Sequence, residues 1–317
     1  MLLRQLEYVT ALARERHFGR AALACHVSQP SLSAGIRRLE SELKVAIVQR
    51  GQRFEGFTPE GEHVVRWARR ILAERDALQD DLSSMHTGLS GVLRVGAIPT
   101  ALTAASLLTS PFCIEHPLAR VSLESASSRE IVVRLAQFDL DVGMTYIDGE
   151  PLGHVRTVPL YRERYLLLTS QDGEFAGRSS VSWAEVSRIP LCLLSPEMQN
   201  RRILDAIFKE AGVTVTPAID TDTVSVLYAH VGTHQWSTVI AHAWLYLFGV
   251  PEGLCVVPLD QPRHSPQVGL VLADRDPEPI LAQALLDISH RVDVDGTLDR
   301  LLRDHLAAPP ATPGVAR

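Results

Sequence analysis

The chain has 317 residues, of which 46% are apolar and 21% are charged, a balance typical of globular rather than disordered or fibrous proteins. Its length predicts two or three compact domains. No uninterrupted apolar stretch of about 18 residues occurs, which argues against a signal peptide or membrane span and favours a cytoplasmic protein. Four separated cysteines without a CxxC pair argue against a disulfide framework or a zinc ribbon.

Charge is divided unevenly along the chain. Residues 1–75 hold 13 Lys or Arg against 8 Asp or Glu, a net charge of +5, whereas the remainder holds 18 against 29, a net charge of −11. A basic segment joined to an acidic body is typical of a nucleic-acid-binding domain attached to a domain that does not bind nucleic acid. Chance asymmetry of a solvated surface is the alternative.

Two short helices are predicted at the start of the chain. Apolar residues recur at i, i+3, i+4 and i+7 from Leu6, which predicts an amphipathic helix over residues 2–14. Residues 18–24 are rich in alanine, as a helix must be when another helix packs closely across it. A tight turn separates this segment from Ser28.

A third helix is predicted to begin after Ser28, which is a good N-cap, with Pro30 in the first turn. One face is apolar and is predicted to be buried; it consists of Leu32, Ile36, Leu39 and Leu43. The opposite face is polar, with Gln29, Ser33 and Arg37 at i, i+4 and i+8. A short helix, a tight turn and a second helix with an apolar back and a polar front form the helix-turn-helix pattern.

Residues 45–57 alternate in polarity and turn at glycines, which predicts a two-stranded wing with Arg50 and Arg53 at its tip. A basic tip beside a polar helix face suits contact with the DNA backbone or minor groove. Thr58 then caps a long helix. One face of this helix has apolar residues at steps of four and three, which is typical of a coiled-coil seam and predicts a dimer. The seam positions are Val64, Ala68, Ile71, Arg75, Leu78, Leu82 and Met85, and Arg75 alone interrupts their apolar character.

The third helix offers side chains suited to reading DNA. Gln29 can pair with an adenine edge, Arg37 with a guanine or a phosphate, and Pro30 with a thymine methyl group. Serines there suit phosphates, which position the protein without specifying sequence. A three-helix bundle without nucleic acid is the alternative. The predicted DNA-binding residues are Ser28, Gln29, Pro30, Ser31, Ser33, Arg37, Arg50 and Arg53.

Beyond a glycine-rich joint at residues 88–91, strand-like segments alternate with helical ones. This rhythm predicts a mainly parallel sheet and a final helix over residues 279–306. The predicted strands are residues 91–97, 120–126, 141–146, 165–170, 190–195, 216–220, 237–241, 254–258 and 267–273. Helices are predicted from Thr100 and over residues 128–138, 200–211 and 223–231.

The stretch FGRAALACHVSQPSLSAGIRRLESEL, followed by FTPEG, resembles the N-terminal domain of LysR-type transcriptional regulators, whose pattern is VSQPxLSxxIxxLExxL. The resemblance covers about residues 1–305. It implies a cytoplasmic transcription factor without enzymatic activity or cofactor, which binds an interrupted palindrome in promoter DNA. Ala34-Gly35 and Ile47-Val48 depart from the usual residues, and the first departure puts one or two DNA contacts in doubt.

The resemblance also implies a domain organisation. An all-α winged helix-turn-helix occupies residues 1–58, and a linker helix over residues 59–87 forms a homodimer, commonly assembled into a tetramer. Residues 91–317 form an α/β effector-binding domain of two Rossmann-like lobes, of periplasmic-binding-protein type II. Lobe I comprises residues 91–161 and 266–306, and lobe II comprises residues 162–265, with crossovers near 161–164 and 262–266.

Ligands in such folds bind where strand ends meet helix N-termini, because unpaired N–H groups there attract anions. Thr100 and Ser128 match family positions that bind effector carboxylates, although a role as N-caps would explain both without a ligand. Asn200, Arg201 and Arg202 could donate to a small anion, although exposed arginines are common there. The predicted effector-binding residues are Pro99, Thr100, Ser127, Ser128, Met198, Asn200 and Arg201.

The segment YAHVGTHQWSTVIAHAWL resembles regulators found beside formate dehydrogenase genes, which implies a very small carboxylate effector. His230 and His234 have a spacing that could place both on one metal, but structural roles are favoured. A redox switch at Cys192 and Cys255 is not favoured either, because 63 residues separate them and the sequence shows no neighbourhood that would lower a thiol pKa. The alternative to a regulator is an enzyme or binding protein that the N-terminal domain merely dimerises; no GxSxG, HExxH, P-loop or GxGxxG constellation favours it.

Overall fold

The computed structural model describes residues 1–49, 54–262 and 264–307, apart from the side chain of Thr87. The chain forms two compact units. The first comprises residues 1–89 with residues 137–139, and the second comprises the rest of the described chain. Among the described helices, none has the length and apolarity needed to cross a bilayer.

The first unit contains four helices: α1 (Leu3–Glu15), α2 (Phe18–Ala24), α3 (Gln29–Leu43) and α4 (Pro59–Thr87). They coincide with the predicted helices to within about one residue at each end, which is the usual uncertainty of helix boundaries. The buried face of α3 consists of Leu32, Ile36 and Leu39. The prediction that Leu43 is also buried is wrong: α3 ends at this residue, and its side chain is 39% exposed.

Two glycines permit close packing in this unit. A Cβ on Gly35 would lie 2.6 Å from the ring of Tyr8, so this position faces α1, and its departure from the family pattern fits the space left by Tyr8. A Cβ on Gly61 would lie 2.0 Å from the carbonyl oxygen of Ile47. The start of α4 therefore lies directly against the chain that leads into the wing.

The base of the wing is an antiparallel bridge between Val48 and Phe57. Glu40 of α3 fixes this base, because its Oε1 accepts hydrogen bonds from the backbone N–H groups of Ile47 at 2.7 Å and Val48 at 3.1 Å. Residues 50–53 lie outside the described residues, and the predicted tip residues Arg50 and Arg53 fall there.

The second unit is an α/β unit with ten strands and eight α-helices in its described part. Its strands are β1 (Ser90–Ala97), β2 (Leu118–Ser125), β3 (Val142–Tyr146), β4 (Val155–Arg162), β5 (Tyr165–Ser170), β6 (Cys192–Leu194), β7 (Ile219–Thr221), β8 (Thr238–Ala241), β9 (Leu254–Pro258) and β10 (Gln267–Ala273). Its helices are α5 (Leu102–Glu115), α6 (Ser128–Ala136), α7 (Trp183–Val186), α8 (Gln199–Glu210), α9 (Val224–Val231), α10 (Leu245–Phe248), α11 (Ile280–Arg291) and α12 (Val294–Ala307), with a 3₁₀ turn at His242–Trp244.

Lobe I is built on a five-stranded sheet of order β2-β1-β3-β10-β4. Strand β1 runs parallel to β2 and β3, as the βαβ rhythm predicts. Strand β10 runs antiparallel to both of its neighbours, β3 and β4, so the prediction of a mainly parallel sheet is wrong for this part of the sheet. The reason is connectivity: β10 follows a return crossover from the other lobe and not a helix on the same sheet.

Lobe II contains a three-stranded antiparallel sheet, β8-β5-β9, and a parallel pair, β6-β7. A bridge between Leu191 and Ser237 connects the two, and buried aromatic rings of Trp183, Phe208 and Trp244 fill its core. The chain enters lobe II at residues 163–164 and leaves through residues 259–266. The predicted single final helix is two helices, because Val292 is extended and Asp293 Oδ1 accepts from Gly296 N, starting α12.

Candidate functional site

Helix α3 presents an exposed polar face in the first unit. Ser28 Oγ accepts a hydrogen bond from Ser31 N at 3.3 Å and lies 2.8 Å from Ser31 Oγ, so it caps the helix. Gln29 and Pro30 follow in the first turn and are exposed, as is Arg37 two turns later. This face presents amide, hydroxyl and guanidinium groups at helical spacing, which is what contact with base edges and phosphates requires.

Arg37 is the cation on this face that is most free to contact a ligand. It forms no ion pair with any described residue, whereas its neighbour Arg38 pairs with Glu42 of the same helix at 3.3 Å. Ser33 lies between Gln29 and Arg37 and is half-buried. The predicted contacts Ser28, Gln29, Pro30, Ser31, Ser33 and Arg37 are thus brought to one end and one face of α3.

In the second unit, strand ends and helix N-termini from both lobes enclose a small pocket. It brings together five predicted effector residues, namely Pro99, Thr100, Ser128, Met198 and Asn200. Tyr146 and Gln199, which sequence reasoning missed, also line it. The enclosed volume is about 10 Å³, roughly what one water molecule needs. The lobes are therefore closed against each other here.

Hydrogen bonds connect the lobes across this pocket. The Tyr146 hydroxyl, at the end of β3, donates to Glu163 Oε2 at 2.7 Å and accepts from Asn200 Nδ2 of α8 at 3.1 Å. Thr100 Oγ1 lies 3.4 Å from the same hydroxyl. On the opposite wall, Thr145 Oγ1 donates to Ser128 Oγ at 3.0 Å.

Glu163 is a fully buried carboxyl at the first crossover between the lobes. Burial raises the pKa of Glu163 to about 7, although hydrogen bonding from Tyr146, Thr100 and Tyr165 lowers it. Its Oε1 has no hydrogen-bond partner among the described residues. The sequence signal that could have identified Glu163 is its position as a single acidic residue between Tyr161 and Tyr165 at the predicted crossover.

Two predicted effector residues are engaged elsewhere. Arg201 is 7% exposed, and its guanidinium pairs with Asp205 at 2.9 Å and with Asp220 at 2.6 Å. Ser127 caps α6: its Oγ accepts from Glu130 N at 3.3 Å, and Glu130 Oε2 accepts from Ser127 N at 2.8 Å. Both therefore serve the lobes' own structure in this closed arrangement. Arg202 likewise pairs, with Glu150 of lobe I at 2.6 Å.

Capping does not account for Thr100 and Ser128. The N-cap of α5 is Ala101, with no side-chain hydrogen bond, and α6 is capped by Ser127. Helix α8 begins after Met198, again without a side-chain cap. The first N–H groups of an uncapped helix have no intrahelical partner and favour negative charge. At α5 the preceding turn supplies acceptors, since Leu102 N donates to Ile98 O at 3.1 Å and Ala104 N donates to Ala101 O at 3.0 Å. The start of α8 is therefore the helix end that can attract an anion.

Other candidate chemistry finds little support. No group of three or more His, Cys, Asp or Glu suited to a metal occurs within the described part of the chain. Helix α9 ends at Val231, so His230 and His234 do not share a continuous helix. Burial raises the pKa of the Cys192 thiol to about 11 and also raises that of Cys255. Neither thiol has the stabilised thiolate of a reactive cysteine.

Comparison with known proteins agrees with both units. Residues 3–62 match the family described as "Bacterial regulatory helix-turn-helix protein, lysR family", and residues 86–293 match "LysR substrate binding domain". The chain is 30% identical over 280 residues to the hydrogen peroxide-inducible genes activator of Dickeya chrysanthemi, covering 87% of this chain and 91% of that protein. It is 29% identical over 312 residues to the DNA-binding transcriptional dual regulator OxyR of Escherichia coli K12, covering 96% and 99%.

Solved structures share the fold. A full-length OxyR variant from Pseudomonas aeruginosa superposes with a TM-score of 0.74 at 24% identity, over 93% of this chain and 97% of that one. CbnR complexed with its target DNA superposes with a TM-score of 0.66 at 22% identity, over 92% and 100%. The chain therefore belongs to the LysR family of bacterial transcription regulators and is a DNA-binding regulator with an effector-binding domain, not an enzyme.

Proposed function

We propose that the chain regulates transcription in the cytoplasm by binding an interrupted palindrome in promoter DNA through α3. The observation that carries this proposal is the polar face of α3 beside the Ser28 cap, on which Gln29 and Arg37 are exposed and Ser33 is half-buried. Arg37 and Gln29 read base edges or phosphates, while Ser28, Pro30, Ser31 and the wing residues Arg50 and Arg53 position the helix. The wing residues stay a prediction from the sequence.

The proposed effector is a small carboxylate that binds between the lobes. The N-terminus of α8, which has no side-chain cap, and the hydroxyl groups of Thr100 and Ser128 beside the pocket support an anion there. In the closed state the pocket has no room for such a ligand, so binding separates the lobes and shifts their equilibrium. In a tetramer built from dimers of residues 59–87, that shift changes the angle between dimers and the bend of the DNA.

DNA binding is tested by fluorescence anisotropy with a fragment of the divergent promoter beside the gene. We expect Arg37→Ala and Gln29→Ala to weaken specific binding by about tenfold or more. The matched control is Arg120→Ala, an exposed arginine on β2. Affinity should fall steeply with added salt, and the Arg37 variant should reduce the salt slope by roughly one. Salt-independent affinity, or equal affinity of both variants and the control, would contradict the proposal.

Peroxide sensing is a second candidate, because the relatives from Dickeya chrysanthemi and Escherichia coli include hydrogen peroxide-inducible activators. Thiol-based sensing requires an accessible thiolate. Burial raises the pKa values of Cys25, Cys192 and Cys255, which opposes that mechanism at three of the four cysteines. Peroxide treatment followed by intact-mass measurement and DNA binding distinguishes the candidates: an oxidised thiol with altered DNA affinity would favour peroxide sensing.

A further inference from the structure

Glu40 connects the DNA-reading helix to the wing. It lies on α3, and its Oε1 accepts hydrogen bonds from the backbone N–H groups of Ile47 at 2.7 Å and Val48 at 3.1 Å. The backbone oxygen of Glu40 also accepts from Lys44 N and, at 3.2 Å, from Val45 N. One residue near the end of α3 therefore holds both the turn after the helix and the base of the wing.

Glu40 lies on the same face of α3 as the residues proposed to read DNA. Gln29, Arg37 and Glu40 stand at i, i+8 and i+11, and eleven residues of an α-helix complete about three turns. The three side chains therefore follow one line along the helix. Because Glu40 binds the base of the wing, the wing is attached to the face of α3 that meets DNA and not to its apolar back.

The other polar and aromatic contacts of the wing lead to different elements. Thr58 Oγ1 donates to the backbone oxygen of Ala46, which joins the base of the wing to the start of α4. Phe54 packs edge-to-face on Phe18 of α2, with ring centroids 6.1 Å apart. Among the described residues of α3, only Glu40 forms hydrogen bonds with the base of the wing. The angle between α3 and the wing therefore depends on this side chain.

We infer that Glu40 is a positioning residue for DNA binding, whose two hydrogen bonds hold the wing at a fixed angle to α3 so that both contact DNA at once. A contact group that must first be ordered contributes less affinity, because ordering it costs conformational entropy. This inference rests on the proposed function, in which α3 and the wing residues Arg50 and Arg53 contact DNA. The two arginines lie outside the described residues.

The test is fluorescence anisotropy of the full chain with the same promoter fragment over a series of salt concentrations. Glu40→Met removes the acceptor at similar side-chain length. It should weaken binding by about tenfold and reduce the salt slope by roughly one to two, because phosphate contacts of the wing are lost. Glu40→Gln also removes the charge but keeps an oxygen that can accept both N–H groups, so it should bind within about threefold of wild type. Glu62→Met, exposed on α4, is the matched control.

A double-mutant comparison separates positioning from general destabilisation. If Glu40 acts through the wing, Glu40→Met should change affinity by less than about twofold in a chain that already carries Arg50→Ala and Arg53→Ala. A merely structural role would lower the fraction of protein that can bind DNA, which stoichiometric titration measures. It would leave the salt slope of the remaining active protein unchanged.

The inference is overturned if Glu40→Met binds like the control, keeps the wild-type salt slope, or weakens binding equally with and without the wing arginines. It is also overturned if Glu40→Gln binds as weakly as Glu40→Met, because the charge would then matter and not the acceptor. If Arg50→Ala with Arg53→Ala binds like wild type, the inference falls while DNA reading by α3 stands. If wild-type affinity does not depend on salt, the proposed function falls as well.

Discussion

Asn200 of α8 donates a hydrogen bond of 3.1 Å to the hydroxyl of Tyr146 at the end of β3, and this bond joins lobe II to lobe I. A second interlobe bond runs from Thr103 Oγ1 to the carbonyl oxygen of Ala243 at 3.0 Å. Tyr146 also donates to Glu163 at the crossover between the lobes. Tyr146 therefore takes part in the closure of the lobes and also lines the proposed effector pocket.

Tyr146→Phe should therefore destabilise the closed second unit. The substitution removes the partner of Glu163 Oε2 and leaves Asn200 Nδ2 only its longer hydrogen bond to the Tyr165 hydroxyl at 3.5 Å, and the free energy of unfolding should fall by roughly 2–4 kcal/mol. Urea unfolding of the full chain measures it. Tyr246→Phe, at a residue that is 40% exposed, removes the same hydroxyl from the surface and should cost less than about 0.5 kcal/mol. Equal effects of the two substitutions would refute a role for the buried network.

Glu163 gives stability a specific pH dependence. The pKa of Glu163 is raised to about 7 from an ordinary value of 4.5, so between these values the folded protein keeps a proton that the unfolded chain releases. The free energy of unfolding should fall as pH rises through this interval and level off above pH 7, by roughly 3 kcal/mol in all. The groups that act on the carboxyl are Tyr146, Tyr161, Tyr165, Thr100 and Asp148.

Comparison of Glu163→Gln with the wild type isolates this contribution, because the variant cannot titrate there. The difference in unfolding free energy, variant minus wild type, should grow between pH 5 and pH 8. His242 must be separated from it: burial lowers the pKa of His242 to about 4, so its contribution is lost as pH falls below about 6.5. Because His242 is present in both proteins, its contribution cancels in the difference between variant and wild type. A difference that is flat with pH would show that Glu163 titrates normally.

Gly61 is predicted to tolerate no side chain. Because a Cβ there would lie 2.0 Å from the backbone oxygen of Ile47, Gly61→Ala must move α4 away from the base of the wing. We expect a loss of at least about 2 kcal/mol in unfolding free energy, together with weaker DNA binding. Gly232→Ala is the control, since its nearest atom is 3.3 Å away and its φ is −60°. Calorimetry measures the Tm of both variants. Similar Tm values would contradict the close approach of Gly61 to the backbone of Ile47.

The sequence predicts the first unit well because its signals are local. Ser28 and Thr58 cap helices through groups three residues away, and the apolar spacing of α3 fixes its buried face. The effector pocket is different in kind. Glu163 and Asn200 are separated from Tyr146 by 17 and 54 residues, so no local sequence pattern predicts their contact. Arg201 illustrates the converse, because its buried pairing with Asp220 across 19 residues is invisible in the motif that suggested an anion ligand.

The exposed half of the α4 seam provides the test of oligomerisation. Leu78, Leu82 and Met85 are 58%, 51% and 70% exposed, whereas the first half of the seam contacts α1. Arg75, which interrupts the seam, pairs with Glu7 of α1 and therefore marks the boundary between the two halves. Apolar side chains in a row on a charged helix are typical of a surface that a second helix covers.

Leu78→Asp combined with Leu82→Asp should dissociate the dimer, because each carboxylate would be buried against its partner's apolar seam. Sedimentation at several concentrations should show a shift toward monomer by at least about tenfold in the dissociation constant, with DNA affinity reduced in parallel because two half-sites are no longer bound together. Gln79→Asp, exposed on the same helix, adds the same charge outside the seam and should leave the assembly intact. A double variant that remains as oligomeric as this control would place the dimer interface elsewhere in the chain.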